Sequence, residues 1–162
     1  MSVTALIIRP LEQEEIPLLD EFLYQAIFIP DGVEPPPRDI IENTDLQVYV
    51  KDFGKNETDN ALVAEVDGQV VGAVWTRIMD DYGHIDDETP SFAISLLPKY
   101  RSQGVGTKLM KAMLKLLKEQ GFVQASLSVQ KDNYATDLYQ KLGFEIIDET
   151  AEEYLMLINL LG

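Results

Sequence analysis

The chain has no cysteine among its 162 residues. That excludes a disulfide scaffold, a zinc ribbon and any thiol chemistry. It has a single histidine, which makes a His-based metal cage or a Ser-His-Asp triad hard to build. Basic residues are scarce: 13 Lys and Arg stand against 28 Asp and Glu, a net charge of -15. So acidic a chain is a poor nucleic-acid binder, because the phosphate interaction would be repulsive. No apolar run reaches about 18 residues, and the opening MSVTALIIRP has neither a basic stretch nor a long apolar stretch of the kind that targeting segments carry. These absences lead us to expect a soluble, cytoplasmic protein with no membrane partner.

What is present is an ordinary globular balance, with 46% apolar and 25% charged residues. The length suits one domain over residues 1–162 with a core of its own. The charge is unevenly spread. Lys99, Arg101, Lys108, Lys111, Lys115 and Lys118 fall in a window that holds no Asp or Glu. That window is +6, so the rest of the chain is 7 minus 28, or -21. A basic island in an acidic protein suits a small polyanion, although a solvated lysine-rich helix face would read the same way.

Periodicity predicts the order β-α-α-β-β-β-α-β-α-β-β, a mixed α/β fold around one sheet. Val3–Arg9 reads as a strand. Glu12–Ile29 reads as a helix whose stripe is Ile16, Leu19, Phe22, Leu23, Ala26 and Ile27, with Pro17 in its first turn. Arg38–Val50 reads as a second helix beyond the stiff run Glu34-Pro35-Pro36-Pro37. Ala61–Val66 and Gln69–Met79 form a hairpin turning at Asp67-Gly68. An acidic loop, Asp80–Pro90, leads to a strand at Ser91–Leu97. Val105–Glu119 is a helix with Val105, Leu109, Met113, Leu116 and Leu117 inward and its lysines outward. Phe122–Val129, a helix Asn133–Leu142 capped by Gly143, Phe144–Ile147 and Tyr154–Leu160 complete the chain.

The most informative segment joins strand to helix: Leu97-Pro98-Lys99-Tyr100-Arg101-Ser102-Gln103-Gly104-Val105-Gly106-Thr107-Lys108. Two glycines there let a ligand approach the backbone. The free N–H groups of the first helical turn then face it, with the helix dipole favouring an anion. The segment is neither a Walker loop nor a dinucleotide-binding G-x-G-x-x-G.

Arg101-Ser-Gln-Gly104-Val-Gly106 resembles the R/Q-x-x-G-x-G/A signature of the GCN5-related N-acetyltransferase (GNAT) superfamily. Asn133-Tyr-Ala135-Thr-Asp-Leu138-Tyr139-Gln-Lys141-Leu-Gly143-Phe144 resembles a second segment of that family, N-x-x-A-x-x-L-Y-x-K-x-G-F, at the usual separation. The resemblance implies a single-domain GNAT-like fold, a mixed central sheet with two splayed parallel strands, here Ser91–Leu97 and Phe122–Val129, flanked by helices. It implies acetyl-CoA as co-substrate and no metal. The pantetheine arm would pair with the main chain of Leu96 and Leu97, whose side chains are plain core. The pyrophosphate would take N–H groups from Gln103, Gly104, Val105, Gly106 and Thr107, with Arg101 and Lys108 offering positive charge. Asn133 would bond the cofactor arm, or cap the helix, or both. Tyr139 would protonate the departing thiolate; otherwise it is a core aromatic with a polar tip.

The reaction so implied is direct attack of a primary amine on the thioester in a ternary complex, with a backbone N–H near Leu96 at the oxyanion. Glu88, then His84, are the candidates for base; a solvated turn is the alternative. A metal role for the 80–88 loop finds no support in its spacing. Residues 28–39, Trp75–Arg77 and the 80–88 loop would line the acceptor side. Their acidity favours a small cationic amine. Two other readings stay open: a protein or peptide N-acetyltransferase, and a non-catalytic acyl-CoA-binding module. The apolar strand Tyr154–Leu160 makes a homodimer plausible.

Overall fold

A computed structural model of the chain describes residues 6–27, 29, 32–79, 84–101 and 103–161. A seven-stranded sheet runs in the order β1-β2-β3-β4-β5-β7-β6. Its strands are β1 (Leu6–Pro10), β2 (Asn60–Val66), β3 (Gln69–Arg77), β4 (Ser91–Leu96), β5 (Gln124–Gln130), β6 (Glu145–Glu149) and β7 (Glu153–Asn159). Helices α1 (Leu18–Ala26), α2 (Thr44–Gln47), α3 (Val105–Glu119) and α4 (Ala135–Leu142) connect them. The mixed α/β architecture and its element order are those expected.

The sheet has a core on each face because strand residues alternate sides. Leu62, Ala64, Val71 and Val74 face α3 and α4, where Leu109, Met110, Met113, Leu117 and Tyr139 are buried. Val63, Ala73 and Trp75 face Leu19, Phe22 and Leu23 of α1. The β2–β3 hairpin turns at Asp67 (φ 50°) and Gly68 (φ 82°), the pair of positive φ values that a two-residue hairpin loop demands.

Two helices differ from expectation. The first is shorter than 12–29. A 3-10 turn at Gln13–Glu15 precedes Pro17, α1 follows, and Ile27 is already extended. The second breaks into a 3-10 turn at Arg38–Glu42 and the short α2, with Asn43 extended between them. Tertiary bonds hold the chain that follows α2. The Trp75 indole donates to the Tyr49 carbonyl at 3.0 Å. Arg77 donates to the carbonyls of Val48 at 3.3 Å and Lys51 at 2.9 Å. These bonds satisfy carbonyls that have no donor within the helix. In β7, Leu155, Met156 and Ile158 are buried in the chain's own core, as is Leu160 beyond it, so its apolar character is accounted for within one chain.

Candidate active site

The sheet is mixed, and its one parallel pair opens the site. β4 and β5 register at a single pair, Ser91 opposite Ser126, with the Ser126 N–H donating to Pro90 O at 3.0 Å. Beyond that point β4 continues beside β3 alone, down to Gly72 opposite Leu96. The gap is a cleft of about 1050 Å³, walled by Ile94, Ser95 and Leu96 of β4, the C-terminal half of α1, the Gly104–Thr107 bend and the start of α4.

The pairing pattern decides which main-chain groups face this gap. Leu97 donates its N–H to Val71 O at 2.8 Å. Antiparallel ladders alternate bonded and non-bonded pairs. The pair Gly72–Leu96 is therefore non-bonded, and the N–H and C=O of Leu96 point away from β3, towards the cleft. The expectation for Leu97 needs correction, because both its main-chain groups are already engaged: its C=O accepts from the Tyr100 N–H at 2.9 Å. Leu96, and Ile94 by the same alternation, turn their peptide groups to the cleft, where the Leu96 C=O accepts from Arg101.

The glycine bend is built as the sequence suggested. Gly104 is the N-cap of α3 at φ 86°, ψ -3°, and no side chain caps the helix. The first intrahelical bond runs from Lys108 N to Gly104 O at 3.2 Å. The N–H groups of Val105, Gly106 and Thr107 therefore lie ahead of the ladder and have no partner within the helix. A Cβ on Gly104 would meet no atom within 4 Å, and one on Gly106 only Leu96 Cδ1 at 3.8 Å. Gly104, Gly106 and Thr107 all line the cleft. A bare bend with free donors on an open cavity fits a diphosphate. Gln103 is exposed and turned aside, its amide donating to Lys99 O at 2.8 Å.

Arg101 lines the cleft but is occupied. Its Nε donates to Leu96 O at 3.1 Å, and one terminal nitrogen donates to both Gln25 O and Gln25 Oε1 at 3.1 Å. It thus ties the last turn of α1 to the end of β4. Asn133 does one of its two expected jobs visibly: its Oδ1 accepts from Ala135 N at 2.9 Å, which starts α4. Its side chain also borders the cleft. Tyr139 lies on the inner face of α4, 8% exposed, among the cleft-lining residues. Its ring sits 6.1 Å from that of Phe144. Burial pushes its phenol up to about 12, so it is held as a neutral donor.

Glu88 is not in the site. It is exposed, in the turn before the closed end of β4, where its N–H donates to Asp86 Oδ1 at 2.9 Å. Six strand residues, roughly 20 Å, separate that end from Leu96. His84 is also outside the cleft, with Nδ1 3.0 Å from Met79 O. Asp31 and Asp80–Gly83 lie outside the described residues. Trp75 is fully buried against α1, and Arg77 pairs with Asp59 at 3.1 Å, so neither lines this cleft. Among the described residues, no cluster of His, Asp or Glu could hold a metal, and no helix is long and apolar enough to cross a membrane.

On the opposite wall Arg38 and Pro35 fall within the 28–39 stretch expected on the acceptor side, whereas Tyr24 was not anticipated. Tyr24 and Arg38 line the cleft. The Tyr24 hydroxyl donates to Pro36 O at 2.5 Å, Arg38 stacks 4.4 Å above the Tyr24 ring, and Arg38 pairs with Glu21. The proline run is exposed at Glu34, Pro35 and Pro37 and is tied to α1 through Pro36 O, with Pro35 lining the cavity. Composition offered no signal for those contacts.

A family model described as the acetyltransferase (GNAT) family matches residues 23–144. An N-alpha-acetyltransferase of Sulfurisphaera tokodaii is 37% identical over 93 residues, 52% of this chain and 55% of that protein. A probable N-acetyltransferase camello of Xenopus tropicalis is 32% identical over 110 residues, 64% of this chain and 49% of that protein. The chain thus spans about half the length of these curated relatives. The crystal structure of a PaiA N-acetyltransferase from Thermoplasma acidophilum in complex with coenzyme A superposes with a TM-score of 0.70 at 21% identity, covering 96% of this chain and 99% of that one. That likeness shows the fold.

Proposed function

The chain belongs to the acetyltransferase (GNAT) family, and on that premise we propose that it is an acetyl-CoA-dependent N-acetyltransferase acting on a primary amine in a ternary complex. The observation that carries this reading is the bare Gly104–Thr107 bend, with uncapped amides, at the mouth of a cleft formed where β4 leaves β5. In this reading Val105, Gly106 and Thr107 donate to the diphosphate. Lys108, one turn in, and the remaining donors of Arg101 balance its charge. The Leu96 C=O, which already accepts from Arg101 Nε, takes a second bond from the pantetheine arm as an added strand would, and the Asn133 amide steadies that arm.

When bound, acetyl-CoA supplies an activated acyl carbon and a thiolate leaving group. The Leu96 N–H, turned into the cleft, donates to the acyl oxygen as negative charge builds there. Tyr139 donates from its phenol to the departing sulfur. A phenol pushed up by burial is a weaker acid than a thiol, so complete proton transfer to the thiolate is uphill. Tyr139 therefore stabilises the thiolate by hydrogen bonding, and any proton it passes on must be replaced from the amine. Asp132, the carboxylate among the cleft-lining residues, is the acceptor this arrangement offers for the ammonium proton.

The acceptor is a small cationic amine in the first reading, supported by the charge of -15. A protein or peptide α-amine is the second. It is favoured by relatives named N-alpha-acetyltransferase and [ribosomal protein bS18]-alanine N-acetyltransferase, the latter from Haemophilus influenzae and 39% identical over 62 residues. It is also favoured by Arg38 on the cleft wall, a donor suited to a peptide carbonyl. Free-thiol release across polyamines, amino sugars and short peptides tests both. Release with peptides alone selects the second reading. Coenzyme binding with no release for any amine means a binding module.

A further inference from the structure

We infer that the outer face of α3 is an electrostatic guide that draws the polyanionic coenzyme to the cleft of an otherwise repulsive protein. The inference rests on the reading of the cleft as a coenzyme A site. The coenzyme carries a diphosphate and a phosphomonoester, about four negative charges near neutral pH. Outside residues 99–118 the chain carries -21, a field that slows the approach of such a ligand.

α3 is built to offset this locally. Its inner face, Val105, Leu109, Met110, Met113 and Leu117, is buried. Lys108, Lys111, Lys115 and Lys118 are all exposed. At 100° per residue the four ammonium groups fall within roughly 80° of arc, opposite the buried face. Among the described residues none of the four enters an ion pair, so their charge is not neutralised. Elsewhere on the chain Arg38 pairs with Glu21, Lys55 with Asp52 and Lys131 with Glu149, and the exposed Lys51 and Lys141 stand alone and form no comparable row. The stripe begins one turn from the Gly104 bend. At 1.5 Å per residue, Lys111, Lys115 and Lys118 lie about 10, 16 and 21 Å along the axis from Gly104. These distances are too long for direct contact with a diphosphate at the bend. They are within the reach of charge at low ionic strength, where the screening length is about 30 Å at 0.01 M salt. The lysines therefore act on the association rate and leave the dissociation rate unchanged.

The test is surface plasmon resonance of coenzyme A on the immobilised full chain. It compares wild type with the triple variants Lys111→Glu/Lys115→Glu/Lys118→Glu and Lys111→Gln/Lys115→Gln/Lys118→Gln. In about 10 mM salt we expect the association rate to fall by roughly tenfold for the Glu triple and roughly threefold for the Gln triple, with the dissociation rate unchanged. In 1 M salt the rates should converge to within about twofold. 3′-Dephospho-coenzyme A, with less charge, should lose less. An unchanged association rate at low salt overturns the inference, and so does a rise confined to dissociation, which would make these lysines contact residues. If wild type binds no coenzyme A, the reading of the cleft fails and takes the inference with it. Binding by wild type with unmoved variants defeats the guide alone. Should the Glu triple fail to fold, the Gln triple reads the same effect at smaller size.

Discussion

The two ends of β4 make the instructive comparison. At its start the strand is closed. Ser91 and Ser126 are buried with their hydroxyls 3.3 Å apart, and Gln124 donates to the Thr89 hydroxyl at 2.8 Å. At its finish the same strand has lost its neighbour, and Leu96 turns its peptide groups into a cleft. Polar groups at the closed end satisfy each other and give stability. At the open end the Leu96 C=O is held by Arg101, while the Leu96 N–H and the amides of Val105, Gly106 and Thr107 are left over by the fold. Unpaired donors cost free energy unless something else takes them, which is why the open end reads as the place of function. Substitutions at the two ends should therefore separate stability from activity.

The largest expected effect is on turnover. Tyr139→Phe should lower kcat by roughly a hundredfold and leave coenzyme affinity and melting temperature nearly unchanged, measured by free-thiol release beside calorimetry. A kcat within about threefold of wild type would return Tyr139 to the role of a core aromatic. The two bend glycines come next, and they should part company. Gly104→Ala forces a side chain into a left-handed conformation and should cost about 1–2 kcal/mol of stability as well as coenzyme affinity. Gly106 has negative φ and room for a Cβ. Gly106→Ala should stabilise the unliganded protein by about 0.5–1 kcal/mol while weakening coenzyme binding about tenfold, because the methyl group stands where the diphosphate approaches. Thermal melts with and without coenzyme A read both signs.

The closed end supplies the contrasting case. Ser126→Ala should cost about 1 kcal/mol of stability with no change in coenzyme affinity. Altered affinity there would mean the two ends are not independent. The smallest effect concerns acid. Arg9, bonded to Glu15 at 2.8 Å, holds that carboxyl down at about 2. A depressed folded-state value contributes stability above the unfolded value near 4.5 and loses it as pH falls towards 2. The partly exposed pair is worth ~1 kcal/mol or less, so Glu15→Gln should flatten the melting temperature slightly between pH 5 and 2.

Sequence legibility followed the range of the interactions. α3 was readable to the residue, because its glycine bend and apolar stripe are local signals, and so was the turn at Asp67-Gly68. α2 was not: the expected helix breaks at Asn43, which is extended, and the chain after α2 is held by Arg77 and Trp75, partners far along the sequence. Beside the cleft, the bend stands where the motif placed it and Tyr139 lines the cavity from α4. Leu96 could be separated from Leu97 only once the β3 register was known, since a shift of one residue reverses which peptide faces the gap. Glu88 was misplaced for a related reason: acidity near the cofactor strand says nothing about which end of it the turn occupies. The Tyr24–Arg38 wall depends on how a proline run folds back on α1, and no pattern announces that.

The central claim is that the amides of Val105, Gly106 and Thr107 receive the diphosphate of coenzyme A. Titrating coenzyme A into ¹⁵N-labelled protein and following those three amide resonances tests it most directly. The account predicts that they move downfield together, with Leu96 among the next most perturbed, and that Gly106→Ala suppresses the shifts. Saturable binding that leaves the three resonances in place while moving others would contradict it.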